Sequence, residues 1–217
     1  MAEVTPHSTA RRQILRAALK HFANGGYAAT SVQQIVDTAR LSKPALYYHF
    51  RDKAALFEAL VHQAHDERYR VLCGAVDSAD ALPDQLEKIF LALFGFYRAN
   101  RDLMRIAFAT MFAAPGEMPE DLSYLDKCER NFEFIQDLFK RARKKGELDP
   151  RFNCQEMALG FYGMANFYLV SHLVSRDCNP DRSTARRIVQ LFLTGAGPKT
   201  IGKNVIGKSK GKKGGMK

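Results

Sequence analysis

The run TSVQQIVDTARLSKPALYYHF, from Thr30 to Phe50, decides how the rest of the chain is read. Val32, Ile35, Val36 and Ala39 recur at three- and four-residue spacing, the period of a helix with one buried face. Thr30 stands where its hydroxyl can cap the amides of Val32 or Gln33, and Gln33 completes a capping box. Arg40 and Leu41 make a turn. Ser42 is the next N-cap, and Pro44 suits a first helical turn because that position needs no amide hydrogen. Leu46 and Phe50, four apart, point to the core. Tyr47 and Tyr48 are adjacent, so at least one of their hydroxyls faces out. Two short helices joined by so tight a turn make a helix-turn-helix, in which the second helix lies in the major groove of DNA.

Upstream, Ile14, Leu15, Ala18, Leu19 and Phe22 form the apolar stripe of a longer helix that Asn24-Gly25-Gly26 ends. Its other face carries Arg11, Arg12, Arg16 and Lys20. Downstream, Asp52 caps a fourth helix through Leu56, Phe57, Leu60, Val61 and Ala64 to about Ala75. Helices follow from about Asp84 to Asn100, Asp102 to Phe112 and Asp121 to Lys145. Asn153 caps a very apolar helix to about Val174, and Asn179-Pro180 starts a last one that Gly195 stops. The expectation is an all-α fold of about nine helices. It divides into a helix-turn-helix domain (1–52), a larger helical domain (53–197) and a tail (198–217).

The net charge is +10 over 217 residues, and it is uneven. Residues 1–60 hold 8 Lys and Arg against 4 acids, and 61–197 hold 18 against 19. The last twenty hold 7 Lys and no acid. Basic ends around a neutral middle point to a polyanion partner rather than to a uniformly charged coat. The Gly- and Lys-rich tail lacks the apolar surface needed to order it. No apolar run reaches membrane-spanning length and no secretory signal is visible, so a cytoplasmic protein without a membrane partner is expected. Cys73, Cys128, Cys154 and Cys178 are scattered, as reduced thiols are. His62 and His65 lie near Glu58 and Asp66 but not in a zinc-binding pattern. Nucleophile-elbow, P-loop and dinucleotide motifs are absent. Neither an enzyme, a metal site nor a cofactor is expected.

Residues 10–57 resemble the DNA-binding domain of the TetR family of transcriptional repressors. The resemblance rests on the ordered run Phe22-Ala23-Asn24-Gly25-Gly26-Tyr27, Thr30, Ile35-Val36, Ala39 to Phe50, and Lys53 with Ala55-Leu56-Phe57. It implies that Thr30 caps the second helix and, with Tyr48 and Lys53, holds phosphate. Gln33, Ser42, Lys43, Ala45 and Tyr47 become candidates for base edges or adjacent phosphates. Pro44 stands where the family often has a small residue, and removes one amide from the DNA-facing helix start.

The resemblance also implies a homodimer on a palindromic operator, built from the last two long helices. Met157, Phe161, Met164, Tyr168, Ile188 and Phe192 are the candidate interface residues, with Gly160 and Gly163 allowing close approach. It further implies an effector pocket for a small apolar or aromatic molecule. The candidates are Phe90, Phe94, Tyr97, Met104, Phe108, Met111, Phe132, Tyr162 and Asn166. A constitutive or architectural helical nucleic-acid-binding protein without a ligand is the alternative.

Overall fold

The computed structural model describes residues 6–76, 81–174 and 181–194. The expected tail, Cys178, the Asn179-Pro180 cap and the side chain of His172 lie outside the described residues. Within them, nine helices and no strand are present. The helices are α1 (Pro6–Ala29), α2 (Val32–Ala39), α3 (Lys43–His49), α4 (Lys53–Val76) and α5 (Leu82–Ala99). They continue with α6 (Arg101–Ala109), α7 (Leu125–Lys144), α8 (Cys154–Val174) and α9 (Arg182–Thr194).

α1 breaks where its glycines stand: Gly26 takes φ 78°, a left-handed value that costs glycine little. The cap of α2 sits one residue later than the sequence suggests. Ser31 accepts the amide of Gln34 at 3.2 Å, and the Gln34 side chain accepts the Ser31 amide at 2.8 Å. The box is therefore Ser31–Gln34, not Thr30–Gln33. Thr30 instead donates its hydroxyl to the Gly26 carbonyl at 2.7 Å, covering an acceptor left open by the helix break. Arg40 closes α2 in the left-handed region, φ 56°. That one residue turns the chain, and Ser42 caps α3 by accepting the Ala45 amide at 3.3 Å.

α4 is the spine. Asp52 caps it through the Ala55 amide at 2.7 Å, and it packs against α1, α5, α6 and α7. α8 lies on α7, and α9 lies on α5. The buried apolar core runs without interruption from Ile14 and Phe22 through Phe57 to Phe161 and Val189. The break at residue 52 is thus a change of helix, not a gap in the core. α7 begins at Leu125 rather than near Asp121. The preceding segment is held against α4 instead, where the Ser123 amide reaches Glu58 at 3.4 Å and the Ser123 carbonyl meets the His62 ring. Asp181 starts α9, its carboxylate taking the Thr184 amide at 2.8 Å. That amide, with the Thr184 and Ser183 hydroxyls, pulls the carboxyl down to about 2.

Candidate functional site

α3 buries only Leu46, with Phe50 sealing the end. Its opposite face presents Lys43, Pro44, Tyr47 and Tyr48 together, because positions three and four apart share a helix side. Tyr48 is 71% exposed, far more than a large aromatic ordinarily is. Ala45 is half-buried beside them. Ser42 is exposed, but its oxygen already caps the helix. Gln33 is also exposed, with its amide nitrogen donated to Asp37 at 2.7 Å. Basic α1 stands behind, where the Arg11 guanidinium lies 5.2 Å from the Phe50 ring centre.

Two expected phosphate ligands face inward. Thr30 is 4% exposed and its hydroxyl proton is spent on Gly26. Lys53 donates to the carbonyls of Tyr27 and Thr30, both at 2.9 Å, and its ammonium lies 4.2 Å from the Tyr27 ring centre. Burial lowers the Lys53 pKa from its ordinary value. Of its three protons, one remains for an outside acceptor. Lys53 is first of all the clasp that ties the end of α1 to the start of α4.

The described part of this structure matches known proteins along nearly its whole length. The family profile for bacterial regulatory proteins of the tetR family matches residues 14–60, the segment from α1 into α4. Residues 14–60 form a DNA-binding domain of the TetR type. Over 195 residues it is 26% identical to the transcriptional regulator AcuR of Cereibacter sphaeroides, covering 86% of this chain and 87% of that one. It is 37% identical over 82 residues to the HTH-type transcriptional repressor Rv1474c of Mycobacterium tuberculosis. That match spans 36% of this chain and 44% of the repressor. Among solved structures it resembles the transcriptional regulator FadR of Bacillus subtilis in complex with stearoyl-CoA. The TM-score is 0.68 at 15% identity, covering 86% of this chain and 99% of that one. The relatives matched are named as transcriptional regulators.

In the helical domain, four of the expected effector residues meet. Tyr97, Met104, Phe108 and Met111 line one crevice with His65 and Arg68 of α4, around a free volume of about 20 Å³. Tyr162 and Asn166 adjoin it through Arg68, whose Nη2 donates to the Asn166 carbonyl oxygen at 2.8 Å. The guanidinium lies 4.5 Å from the Tyr162 ring centre. Phe132 packs behind, edge-on to Tyr162 at 6.1 Å. Phe90 is elsewhere, buried with Ala165, Ala185 and Ile188 where α5 meets α8 and α9. Phe94 is buried in the main core and does not line the crevice. The sequence reading passed over Arg68 and the buried side of His65.

His62 meets the Ser123 carbonyl, whereas His65 is buried. His65 stacks on Tyr124 at 5.9 Å, and burial holds its imidazole down to about 4, so it is neutral at pH 7. No group of three metal-ligating side chains gathers among the described residues. No helix there is long and apolar enough to cross a membrane.

The expected dimer residues divide. Phe161 is 1% exposed and packs between Phe139 and Phe192 of its own subunit at 6.3 and 5.7 Å. Ile188 is buried against α5. Met157, Met164, Tyr168 and Phe192 are half-buried. The outward stripe of α8 is Leu159, Gly160, Gly163, Phe167 and Val174, with Leu191 on α9. Of these, only Gly160 and Gly163 are expected at the interface from the sequence, because α8 is apolar on every side and its spacing does not single out an outward face.

Proposed function

We propose that this chain is a repressor of the TetR family. As a homodimer it holds a palindromic operator, and a small apolar or aromatic molecule in the helical domain releases it. The observation that carries this reading is the pair of helices that join the DNA-facing stripe to the crevice. α4 is clasped to α1 by Lys53 and four turns later supplies His65 and Arg68 to the crevice wall. α6 supplies Met104 and Phe108 to the same wall and packs on α1, where Arg105 donates to the Ala23 carbonyl at 3.4 Å. A molecule wedged between α4 and α6 must displace at least one of them, and each bears on the DNA-binding helices. The named repressor among the relatives and the stearoyl-CoA held by the Bacillus subtilis neighbour favour the same reading.

In this reading, repression requires the two recognition helices to sit about 34–36 Å apart, one turn of the major groove. An effector shifts that spacing, and by linkage it weakens DNA binding by the factor by which DNA weakens its own binding. The test begins with selection from random duplexes. One palindromic motif, still preferred after residues 198–217 are deleted and at raised salt, supports a sequence reader. Loss of all preference with the tail would establish the architectural alternative.

The exposed stripe on α3 gives a finer expectation. Lys43→Ala relaxes preference at one or two positions of each half-site, because a bidentate lysine–guanine contact is worth about 1–3 kcal/mol of discrimination. Tyr48→Phe weakens all duplexes about equally, as loss of a phosphate contact does. Binding measured against a panel of singly altered operators separates the two. A changed base preference in Tyr48→Phe, with none in Lys43→Ala, reverses the roles.

A further inference from the structure

Arg68 is 8% exposed, yet it takes part in none of the ion pairs formed by the described residues. Its Nε has no hydrogen-bond partner, and its one donated bond goes to a neutral amide, Asn166. Two acids immediately precede it on its helix, and Asp66 is committed elsewhere, to Lys127 at 2.7 Å and Arg130 at 2.9 Å. Glu67 accepts from Gln63. The groups that do face the guanidinium are all neutral at pH 7. Burial raises the Tyr97 and Tyr162 phenols and the Cys128 thiol above their ordinary values, and holds His65 uncharged. A lone buried cation is costly: desolvation of such an ion amounts to several kcal/mol, and face contacts with two rings offset only part of it.

Resting on the reading that the helical domain takes an effector, we infer that the effector is a carboxylate, its anionic head paired with Arg68 and its apolar body lying between Tyr97, Met104, Phe108 and Met111. A guanidinium offers a planar fork that matches two carboxylate oxygens. Nε is the unused donor here, and the Nη2 bond to Asn166 holds the guanidinium in place. The remaining wall is apolar and offers no second cation, which suits a single negative charge on an apolar chain. The crevice, at about 20 Å³, holds no more than a water. Entry therefore requires the α6 end to swing outward. Met111, exposed and unbranched, is the flexible part of that wall.

The experiment uses purified full-length protein with hexanoate, octanoate and phenylacetate, each beside its neutral amide, and with hexyl phosphate. Heat-unfolding midpoint and operator release are read together. At least one carboxylate raises the midpoint and releases DNA, and its amide binds roughly thirtyfold more weakly or worse, as loss of one partner from a buried charge pair implies. Arg68→Met stays folded, with a midpoint at or above that of the unaltered protein, and shows no preference for acid over amide. Arg68→Lys retains a weaker preference. Amides that bind as well as acids, to both the unaltered protein and Arg68→Met, and that still release operator overturn the carboxylate but leave the effector-controlled regulator standing. Binding of hexyl phosphate alone transfers the site to a phosphate and overturns the carboxylate. A lower midpoint in Arg68→Met, with no response to any acid, makes the guanidinium a structural prop. If no compound tested shifts the midpoint or operator affinity, both the inference and the effector reading fall.

Discussion

Phe167→Glu is expected to yield a folded protein that no longer pairs and that binds its operator about 10²–10⁴-fold more weakly, the range by which linking two sites raises apparent affinity. Phe167 projects from α8 with 74% of its surface exposed, in line with Leu159, Gly163 and Val174. An apolar stripe of that length on a single subunit marks a surface that meets another chain. Gly160 lies beside the α9 side chain Phe192, from which a Cβ there would stand 3.3 Å. In an isolated subunit a glutamate at position 167 stays in water and changes stability little. In a paired one it would be buried without a partner. The residue is far along the chain from α3, so a fall in DNA affinity reports on pairing and not on contact. Sedimentation equilibrium, circular dichroism and operator anisotropy on one preparation decide the matter. A variant that remains dimeric, or a monomer with unchanged operator affinity, refutes this face as the interface.

Phe161→Glu would not serve, although the sequence singles out Phe161 for the interface. Its ring fills the space between Phe139 and Phe192, and a charge there unfolds the subunit. The contrast shows where sequence patterning stops. In α2 and α3, Ile35, Val36 and Leu46 stand out from polar neighbours, so the buried side is legible from spacing alone. In α8 every side is apolar, and only the positions of α7 and α9 divide inward from outward residues. A hydroxyl pair produced the shift in capping. Thr30 and Ser31 each have a glutamine three residues on, so two boxes compete. Burial of Thr30 under Lys53, with its hydroxyl on Gly26, settles the register in favour of Ser31. Arg68 left a trace that spacing could have found. It continues the inward stripe of Val61, Ala64 and His65 toward Leu72 and Ala75, so a charge stands where the pattern calls for an apolar residue. What the sequence could not supply was its surroundings. Tyr97, Tyr162 and Asn166 come from helices 29 to 98 residues away, and only their assembly makes the charge a lone one.

Phe57→Ala is expected to cost about 3–5 kcal/mol, the usual range for removing a buried phenylalanine ring. Phe57 is fully buried in the second turn of α4. Its ring meets Phe22 edge-on at 5.1 Å and 82°, and Tyr27 at 5.1 Å and 63°. These three rings, with the Lys53 clasp above them, fasten α1 to α4. They hold the DNA-binding helices in register with the crevice. α6 also packs on α1. Truncation at Phe57 therefore attacks the shared core where α1 meets α4. At fixed protein concentration the unfolding midpoint should fall by about 10 °C, given roughly 2–4 °C per kcal/mol for a chain of this size. The form of the transition carries the more specific expectation. Because one core runs from Ile14 to Val189, the unaltered protein unfolds in a single step. The variant opens first at the junction, so helix loss splits into two stages, the α1–α3 unit melting below the larger domain. Hydrogen exchange should show protection falling in α1 to α3 before α5, α7 and α8. A uniform loss across all helices, or a cost below about 1 kcal/mol, would mean that the aromatic triad does not hold the two parts together. The route from crevice to DNA would then run through α6 alone.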